Sequence, residues 1–466
     1  MSATILDPRL DAVRAASDLP ASVLDRFARH LREAPEEELF RMNPLAWAAT
    51  ASVPERQAID LFLHATRVGI LDFEWGALCK GCSAFLRQKA GLRALSKKGR
   101  CPICVLDVGG AVGDDIEVSF TVNRAVRPIR FHDPDSLDFE KDGPAMFTSH
   151  WTGMGPLIAK ELAKAKIAAG RVRSGAETAR TLSLESGRWL ILVPELHAGA
   201  RFDVSADAPA NATFEAVDGT FLTSPLRAGE ATMRIVNRMP EGIGWMLFPD
   251  VGGRSRPAPD MIPAATPFLT GRRLLASQTF RELFRAESLP SDVGLEVRSL
   301  TMLFTDLKGS TQLYERIGDL RAFDLVRKHF DVLRGIVIEH GGAVVKTIGD
   351  AVMATFHSPA NAVAAAIAMH DRIERVGSGE LLLKIGAHDG ACIAVDLNER
   401  LDYFGQTVNI AARVQALADA GEIVVTEAVF DTPGVEDLVR KAELSARHSR
   451  EPLKGIDAPM PVVRLS

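Results

Sequence analysis

The sequence predicts a multidomain α+β protein whose last third is a ferredoxin-like domain. The length, 466 residues, is about three domain lengths at roughly 100 to 200 residues each, so several units in series are expected. The apolar pattern changes along the chain, from helical spacing at the start to short alternating runs in the middle. From residue 296 the elements follow a β-α-β-β-α-β order with additions, which is the ferredoxin-like layout, and one sheet with helices on one side is expected.

With 47% hydrophobic and 25% charged residues, the chain has the composition of a globular protein, which excludes a largely disordered or fibrous one. A net charge of −5 gives no global basic field for nucleic acid or an anionic membrane. No run approaches the roughly 18 to 20 apolar residues of a membrane span, and Asp7 and Arg9 interrupt the start before a signal-peptide core forms. A cytoplasmic chain is expected.

Residues 1–75 read as a helical, winged-helix-like unit. Leu24, Phe27 and Leu31 recur at helical spacing, Pro54 opens a segment with Ile59, Leu61, Phe62 and Leu63 on its apolar face, Gly69 ends it, and Ile70 to Phe73 form a short strand. Such units often bind DNA, but eight arginines stand against twelve acids over this stretch, where a DNA reader shows a basic face.

Residues 76–110 form a zinc-knuckle unit. Four of the five cysteines fall as Cys79, Cys82 and Cys101, Cys104, with eighteen residues between the pairs. Two CxxC pairs at this spacing suit four thiolates around one structural Zn2+, whereas a redox motif needs only one pair beside a helix start. Arg87, Lys89, Arg93, Lys97, Lys98 and Arg100 lie between the pairs with no acid among residues 83–100; the simplest reading is a solvated cationic loop, with an anionic ligand or acidic partner as the alternative. Residues 111–255 carry short alternating runs such as Ile116 to Phe120 and Trp189 to Val193, which predict a β-rich, sandwich-like regulatory domain with one helical insert from Leu157 to Ala168. His132, His150 and His197 read as surface or packing residues. Residues 256–295 are a linker, proline-rich from Arg254 to Pro267, followed by a transmitting helix from Leu269 to Arg285.

The last unit, 296–466, carries the chemistry. Residues 298 to 306 are a nearly continuous apolar strand ending in Asp306, and the following Gly309, Ser310 and Thr311 open a helix where backbone amides suit phosphate oxygens. Leu313, Ile317, Leu320, Val326, Phe330, Leu333 and Val337 define a long amphipathic helix that Gly341 and Gly342 close. A hairpin then places Asp350 in the turn between two apolar strands. Neighbouring strands lie about 5 Å apart, so Asp306 and Asp350 can meet, and two such carboxylates suit a pair of Mg2+ or Mn2+ ions. Pro359 opens another helix, Leu381 to Ala387 is a strand, and Asp402 precedes a helix on which Asn409 and Arg413 share one face at i and i+4. A strand at Ile423 to Thr426 and a segment from Leu453, Lys454 and Gly455 to Leu465 complete the unit. His388 and Cys392 read as core or turn packing, since neither has a ligand-spaced partner.

These motifs together resemble the catalytic domain of class III adenylate cyclases over residues 297 to 466. The resemblance rests on Phe304-Thr305-Asp306 with Gly309-Ser310-Thr311, on Lys346 to Asp350, and on Asp402 with Asn409 and Arg413 at offsets of seven and eleven. It implies that ATP is cyclised to 3′,5′-cyclic AMP and pyrophosphate, that Asp306 and Asp350 hold two divalent metals, and that Lys346 and Asp402 read the purine. It also implies that Asn409 orients the ribose, Arg413 meets the transition state and Lys454 grips the terminal phosphates. In this family the site forms across a homodimer, Asp306 and Asp350 of one protomer facing the other five residues of its partner. Adenine presents an acceptor at N1 and a donor amine at C6, which Lys346 and Asp402 complement; guanine reverses both, which opposes guanylate cyclase as the alternative. The N-terminal half is then expected to be an input module for an unidentified ligand or protein. A nucleic-acid-binding regulator with an accessory cyclase is the remaining alternative, and the acidic charge balance of the start opposes it.

Overall fold

The computed structural model describes all residues except 1–2, 90–98, 105, 109, 139–141, 143–145, 197, 251–261, 285–293, 309–314, 316–317, 377–381 and 398–399. The chain forms two compact units, one of residues 1–110 and 115–269 and the other of residues 111–114 and 270–466. Among the described residues no helix is long and apolar enough to cross a membrane.

The first unit opens with helices α1 (Ala3–Ala16), α2 (Ala21–Glu33), α3 (Pro44–Ala51) and α4 (Glu55–Arg67). The helical spacing of the sequence is their packing face: Leu24, Phe27 and Leu31 are buried, and Phe27 meets Trp47 and Phe62 with ring centres 5.7 and 5.4 Å apart. Gly69 turns the chain out of α4 at φ +77° into strand β1 (Leu71–Leu78). Strand β1 lies between β2 (Phe85–Lys89) and a later strand, and β3 (Gly99–Arg100) pairs with β4 (Asp107–Val108). The short β5 (Ala111–Val112) belongs to the second unit, and β6 (Ile116–Val122) returns to close the three-stranded sheet as β2-β1-β6.

The helical insert is α5 (Met154–Ala165), and Ala168 already begins the next strand. Strands β7 (Ala168–Val172), β8 (Glu177–Leu184), β9 (Gly187–Val193), β10 (Ala198–Ser205), β11 (Asn211–Val217), β12 (Thr220–Leu222), β13 (Leu226–Arg227), β14 (Gly229–Asn237) and β15 (Ile243–Pro249) follow. They build two sheets, β13-β10-β9-β15-β7 and β12-β11-β14-β8. Inward residues of both, among them Trp189, Phe202, Phe214, Met233 and Trp245, share one core. Alternation along β11, where Ala212, Phe214 and Ala216 are buried between exposed or half-buried neighbours, is the pattern of a half-buried strand in a sandwich.

The second unit begins with α6 (Gly271–Leu275) and α7 (Gln278–Leu283). The single helix expected from Leu269 to Arg285 is therefore two short ones, because the hydroxyl of Ser277 caps a new start by accepting from the Phe280 N–H. Then come β16 (Leu295–Leu307), α8 (Asp319–Glu339), β17 (Gly342–Ile348), β18 (Ala351–Phe356), α9 (Pro359–Val376), β19 (Leu383–Leu397), β20 (Arg400–Phe404), α10 (Gln406–Ala416), β21 (Ile423–Thr426), α11 (Glu427–Phe430), α12 (Val435–Lys441), β22 (Ala446–Glu451) and β23 (Met460–Leu465). The sheet runs β17-β18-β16-β19-β21-β23-β22, with β20 on β19 and β5 on β16. Its first four strands have the ferredoxin-like order, the fourth strand of the motif beside the first. On α8, Leu320 departs from the expected apolar face and stands 84% exposed, while Leu313 and Ile317 lie outside the described residues.

The helices do not all lie on one side. Leu333, Ile336 and Val337 of α8 and Val363 and Met369 of α9 pack with Leu303, Ile385 and Val425. Ile410 and Val414 of α10 instead pack with Val424, Leu453 and Val462. Successive strand residues point to opposite faces, so Val425 and Val424 serve different cores and α10 covers the other face of the sheet. The fully buried run of β21, Ile423 to Thr426, fits a sheet covered on both sides. Gly386 permits the approach of α10: a Cβ there would lie 2.2 Å from the Gln415 backbone nitrogen. Gly386→Ala is predicted to destabilise this unit by about 1–3 kcal/mol by displacing α10, while the sandwich keeps its stability. Chemical denaturation followed by probes in each unit checks this; unchanged unfolding of the second unit would contradict the close approach.

Candidate active site

Asp306 and Asp350 are brought together by strand register. In the antiparallel pair of β16 and β18, Thr305 stands opposite Val352, so Asp306 continues toward the turn in which Gly349 and Asp350 connect the Ile348–Ala351 pair. Gly349 takes φ +62°, a conformation that favours glycine in a two-residue hairpin turn. Burial, then the negative charge of Asp350, push the Asp306 carboxyl above its ordinary range, and Lys384, its cross-strand partner on β19, partly offsets them. Oδ2 of Asp350 is buried and has no hydrogen-bond partner among the described residues. Two crowded carboxylates, one with an orphaned oxygen, fit a hard divalent cation with oxygen ligands. Sequence reasoning missed Lys384, whose only signal is its position at the start of a strand in register with Asp306.

The polar residues expected at the purine are in contact. Lys346 Nζ donates to Asp402 Oδ2 at 2.6 Å, and Asp402 Oδ1 accepts from the Tyr403 backbone N–H at 2.8 Å. The Asp402 side chain is only 9% exposed, against 40% for Lys346. A bulge between Val344 and Lys346 shifts the register of β17 just before the lysine, a device that re-aims a side chain next to a site.

Asn409 is exposed and Arg413 half-buried on α10, and Lys454 is exposed. The Arg413 guanidinium lies beside the Lys454-Gly455 turn, since a Cβ on Gly455 would stand 3.6 Å from both of its terminal nitrogens. Thus one cationic corner joins α10 to the segment before β23. Gly309, Ser310 and Thr311 lie outside the described residues. His388 Nδ1 is 3.0 Å from the Thr426 hydroxyl, and burial pushes the Cys392 thiol up to about 12, so both are packing groups.

The four paired cysteines cluster in the first unit. Their Sγ atoms all lie within 4.8 Å of one another, with Cys79, Cys82 and Cys101 buried and Cys104 half-buried. The Gly81 N–H donates to Cys79 Sγ at 3.3 Å and the Cys104 N–H to Cys101 Sγ at 3.4 Å, the N–H···S contacts expected of a knuckle turn. A Cβ on Gly81 would lie 3.0 Å from Cys104 Sγ, so the turn needs the missing side chain. Hydrogen bonds from Cys101, Cys104 and Cys82 hold the Cys79 thiol below its ordinary range. Tetrahedral zinc at Zn–S of about 2.3 Å sets its sulfurs about 3.8 Å apart, and this cluster fits that size. Of the basic residues between the pairs, Arg93, Lys97 and Lys98 lie outside the described residues. His132 is structural, accepting at Nδ1 from the Ile129 N–H at 3.0 Å, and His197 lies outside the described residues.

Comparison with known proteins finds two matches along the chain. Residues 4–282 match a family of unknown function (DUF5939), and residues 295–455 match the adenylate and guanylate cyclase catalytic domain. An adenylate cyclase of Lachancea kluyveri is 28% identical over 193 residues, 36% of this chain and 10% of that protein. Adenylate cyclase 2 of Rhizobium meliloti is 35% identical over 130 residues, 25% of this chain and 36% of that protein. The chain thus spans well under two thirds of the length of these relatives. Among solved structures, the adenylyl cyclase CyaB from P. aeruginosa is 23% identical with a TM-score of 0.33, covering 37% of this chain and 96% of that one.

The purified protein is predicted to carry one zinc per chain by elemental analysis. Cys101→Ser is expected to release it and to lower the melting temperature of the first unit. A metal-free wild-type protein, or a serine variant that melts unchanged, would rule out the zinc staple.

Proposed function

Because the chain belongs to the family of unknown function DUF5939 and ends in an adenylate and guanylate cyclase catalytic domain, we propose that it is an adenylate cyclase that converts ATP to 3′,5′-cyclic AMP and pyrophosphate, with its N-terminal region as a regulatory input module. The observation that carries the choice of ATP is the pairing of Lys346 with the buried Asp402 at 2.6 Å. A lysine ammonium donates to adenine N1 and a carboxylate accepts from the C6 amine. Guanine would set its N1–H against the ammonium and its O6 against the carboxylate, leaving buried polar groups unpaired at a cost of about 1–3 kcal/mol each.

In the reaction the ribose 3′ oxygen attacks the α-phosphorus in line, the new P–O bond forms as the bond to the bridging oxygen of the β-phosphate breaks, the hydroxyl proton passes to solvent and pyrophosphate leaves. Asp306 and Asp350 would hold the two Mg2+ or Mn2+ ions, which favour ionisation of the 3′ hydroxyl and neutralise the leaving phosphates when bound. Asn409 orients the ribose by its side-chain amide. Arg413 offers a planar fork of donors to the charge that grows on the α-phosphate, and Lys454 beside it holds the terminal phosphates. The amides of Gly309, Ser310 and Thr311 are proposed to receive phosphate oxygens at the helix start.

Lys346 and Asp350 sit on one hairpin, yet one addresses the purine and the other the far end of the nucleotide. A symmetric homodimer resolves this, with Asp306 and Asp350 of one protomer completing the site of its partner.

Wild-type protein is predicted to cyclise ATP at least ~10-fold more efficiently than GTP, and Arg413→Ala to lose about 100- to 1,000-fold in kcat. Equal use of both nucleotides would refute the base reading. Mixed Asp306→Ala and Lys346→Ala chains, each far less active than wild type alone, are predicted to regain activity through one intact site per heterodimer; mixtures that show no gain although they form heterodimers would refute the shared site.

A further inference from the structure

Strands β17 and β20 carry Lys346 and Asp402 but are not hydrogen-bonded to each other. Among the described residues β17 is the outer strand of the sheet, and β20 pairs only with β19. Each therefore presents an open edge toward the short helices that precede the catalytic domain, and α7 engages both. Gln278 Oε1 accepts from the Val344 N–H at 2.8 Å, two residues before Lys346 and directly before the bulge. Arg281 donates from one Nη to the Leu401 carbonyl at 2.5 Å, and the Tyr403 hydroxyl donates to the Leu275 carbonyl at 3.0 Å. These two residues flank Asp402 on either side. The Arg281 guanidinium carbon also lies 5.6 Å from the centre of the buried Tyr403 ring.

The segment is held firmly enough to transmit such contacts. Leu274, Leu275, Ala276, Phe280 and Phe284 are all buried, and Thr270 and Ser277 cap the two helices. Gln278 Nε2 donates to Glu282 Oε1 at 2.7 Å, and Arg334 on α8 donates to the same oxygen at 2.5 Å, which ties α7 to a long core helix. An unpaired strand edge ordinarily takes water or a further strand. Here one edge donor and one edge acceptor are taken by side chains of a single helix, on the two strands that bear the purine pair.

We infer that α7 is a strut that sets the spacing of Lys346 and Asp402, and that Gln278 and Arg281 are positioning residues for base selection. Neither touches the base; each fixes the backbone that aims a residue which does. The inference rests on the proposed reading of Lys346 and Asp402 as the purine pair. Loss of either contact lets one strand shift, loosening the fit to adenine more than it slows the chemistry at the phosphates.

The test is steady-state kinetics with ATP and GTP on the full chain. Arg281→Ala and Gln278→Ala are each expected to raise KM for ATP by about tenfold, the size of one lost hydrogen bond, with a smaller change in kcat and a reduced preference for ATP over GTP. Arg281→Lys keeps a cationic donor for the Leu401 carbonyl and is expected to retain the preference. Leu274→Ala, which removes packing from the neighbouring helix, is expected to lower thermal stability without altering the preference. If Arg281→Ala and Gln278→Ala fold and keep the wild-type ATP:GTP ratio while Lys346→Ala and Asp402→Ala abolish it, the strut is refuted and the base reading stands. If Leu274→Ala erodes the ratio as much as the polar variants do, the effect is general loosening and the strut is again refuted. If the wild type does not prefer ATP, the base reading fails and the inference with it.

Discussion

The second unit depends on the register of its central strand. β16 is hydrogen-bonded on both sides, to β18 from Thr301 to Thr305 and to β19 along most of its length. Leu303 and Leu307 enter the core beneath α8 and α9, so alternation turns Asp306 to the opposite face, the one covered by α10. A slip of one residue would bury the carboxylate among aliphatic side chains and expose the leucines, which is why a strand packed on both faces tolerates no alternative pairing. The same register sets Asp306 beside the turn that holds Asp350 and across from Lys384. Position, burial and charge at this end of the site thus follow from one ladder.

The other end follows from a different constraint. Asn409 and Arg413 can be used only because α10 lies close on the sheet, and that closeness rests on Gly386. Lys346 and Asp402 stand on two strands that share no ladder among the described residues, so strand pairing alone does not set their contact. A largely buried carboxylate and a half-exposed lysine in contact are a modest gain in stability for a free chain, since desolvation of Asp402 offsets much of the Coulomb attraction. What the contact supplies is orientation, because each side chain holds the other in place.

Much of this was legible in the sequence, and the exceptions have physical causes. The positions of Asp306 at a strand end, of Asp350 in a hairpin turn and of Asn409 and Arg413 on one helix were readable from the apolar runs and spacing around them, whereas Lys346 and Asp402 stood out through the resemblance. The order of strands and helices was readable from periodicity. The face taken by α10 was not, since a strand buried on both sides reads as a continuous apolar run and does not say which helix covers which face. The break at Ser277 was hidden because the apolar residues on either side keep helical spacing, and a lone serine in such a run also fits a helix interior. The contacts of Gln278 and Arg281 go to backbone atoms of Val344 and Leu401, which leave no complementary residue in the sequence to be noticed. Leu320, placed on the apolar face of α8 by spacing, is exposed because it lies in the first turn of the helix, ahead of the packed segment that starts at Ala322.

The two sets of candidate metal ligands differ in a way that separates their roles. Four cysteine sulfurs within 4.8 Å of one another supply a complete tetrahedral shell of soft donors, which leaves no position for a substrate atom and suits a structural ion. Asp306 and Asp350 supply hard oxygens and far fewer than the six a magnesium ion takes, so the remaining positions must be filled by water or by phosphate oxygens. Ligand softness keeps either set from competing effectively for the other's ion. A closed shell can staple the knuckle turns, whereas an open pair of carboxylates leaves positions for further oxygen ligands. The incomplete set is therefore the one placed at a turn, where a ligand can reach it, and the complete set is the one that is buried.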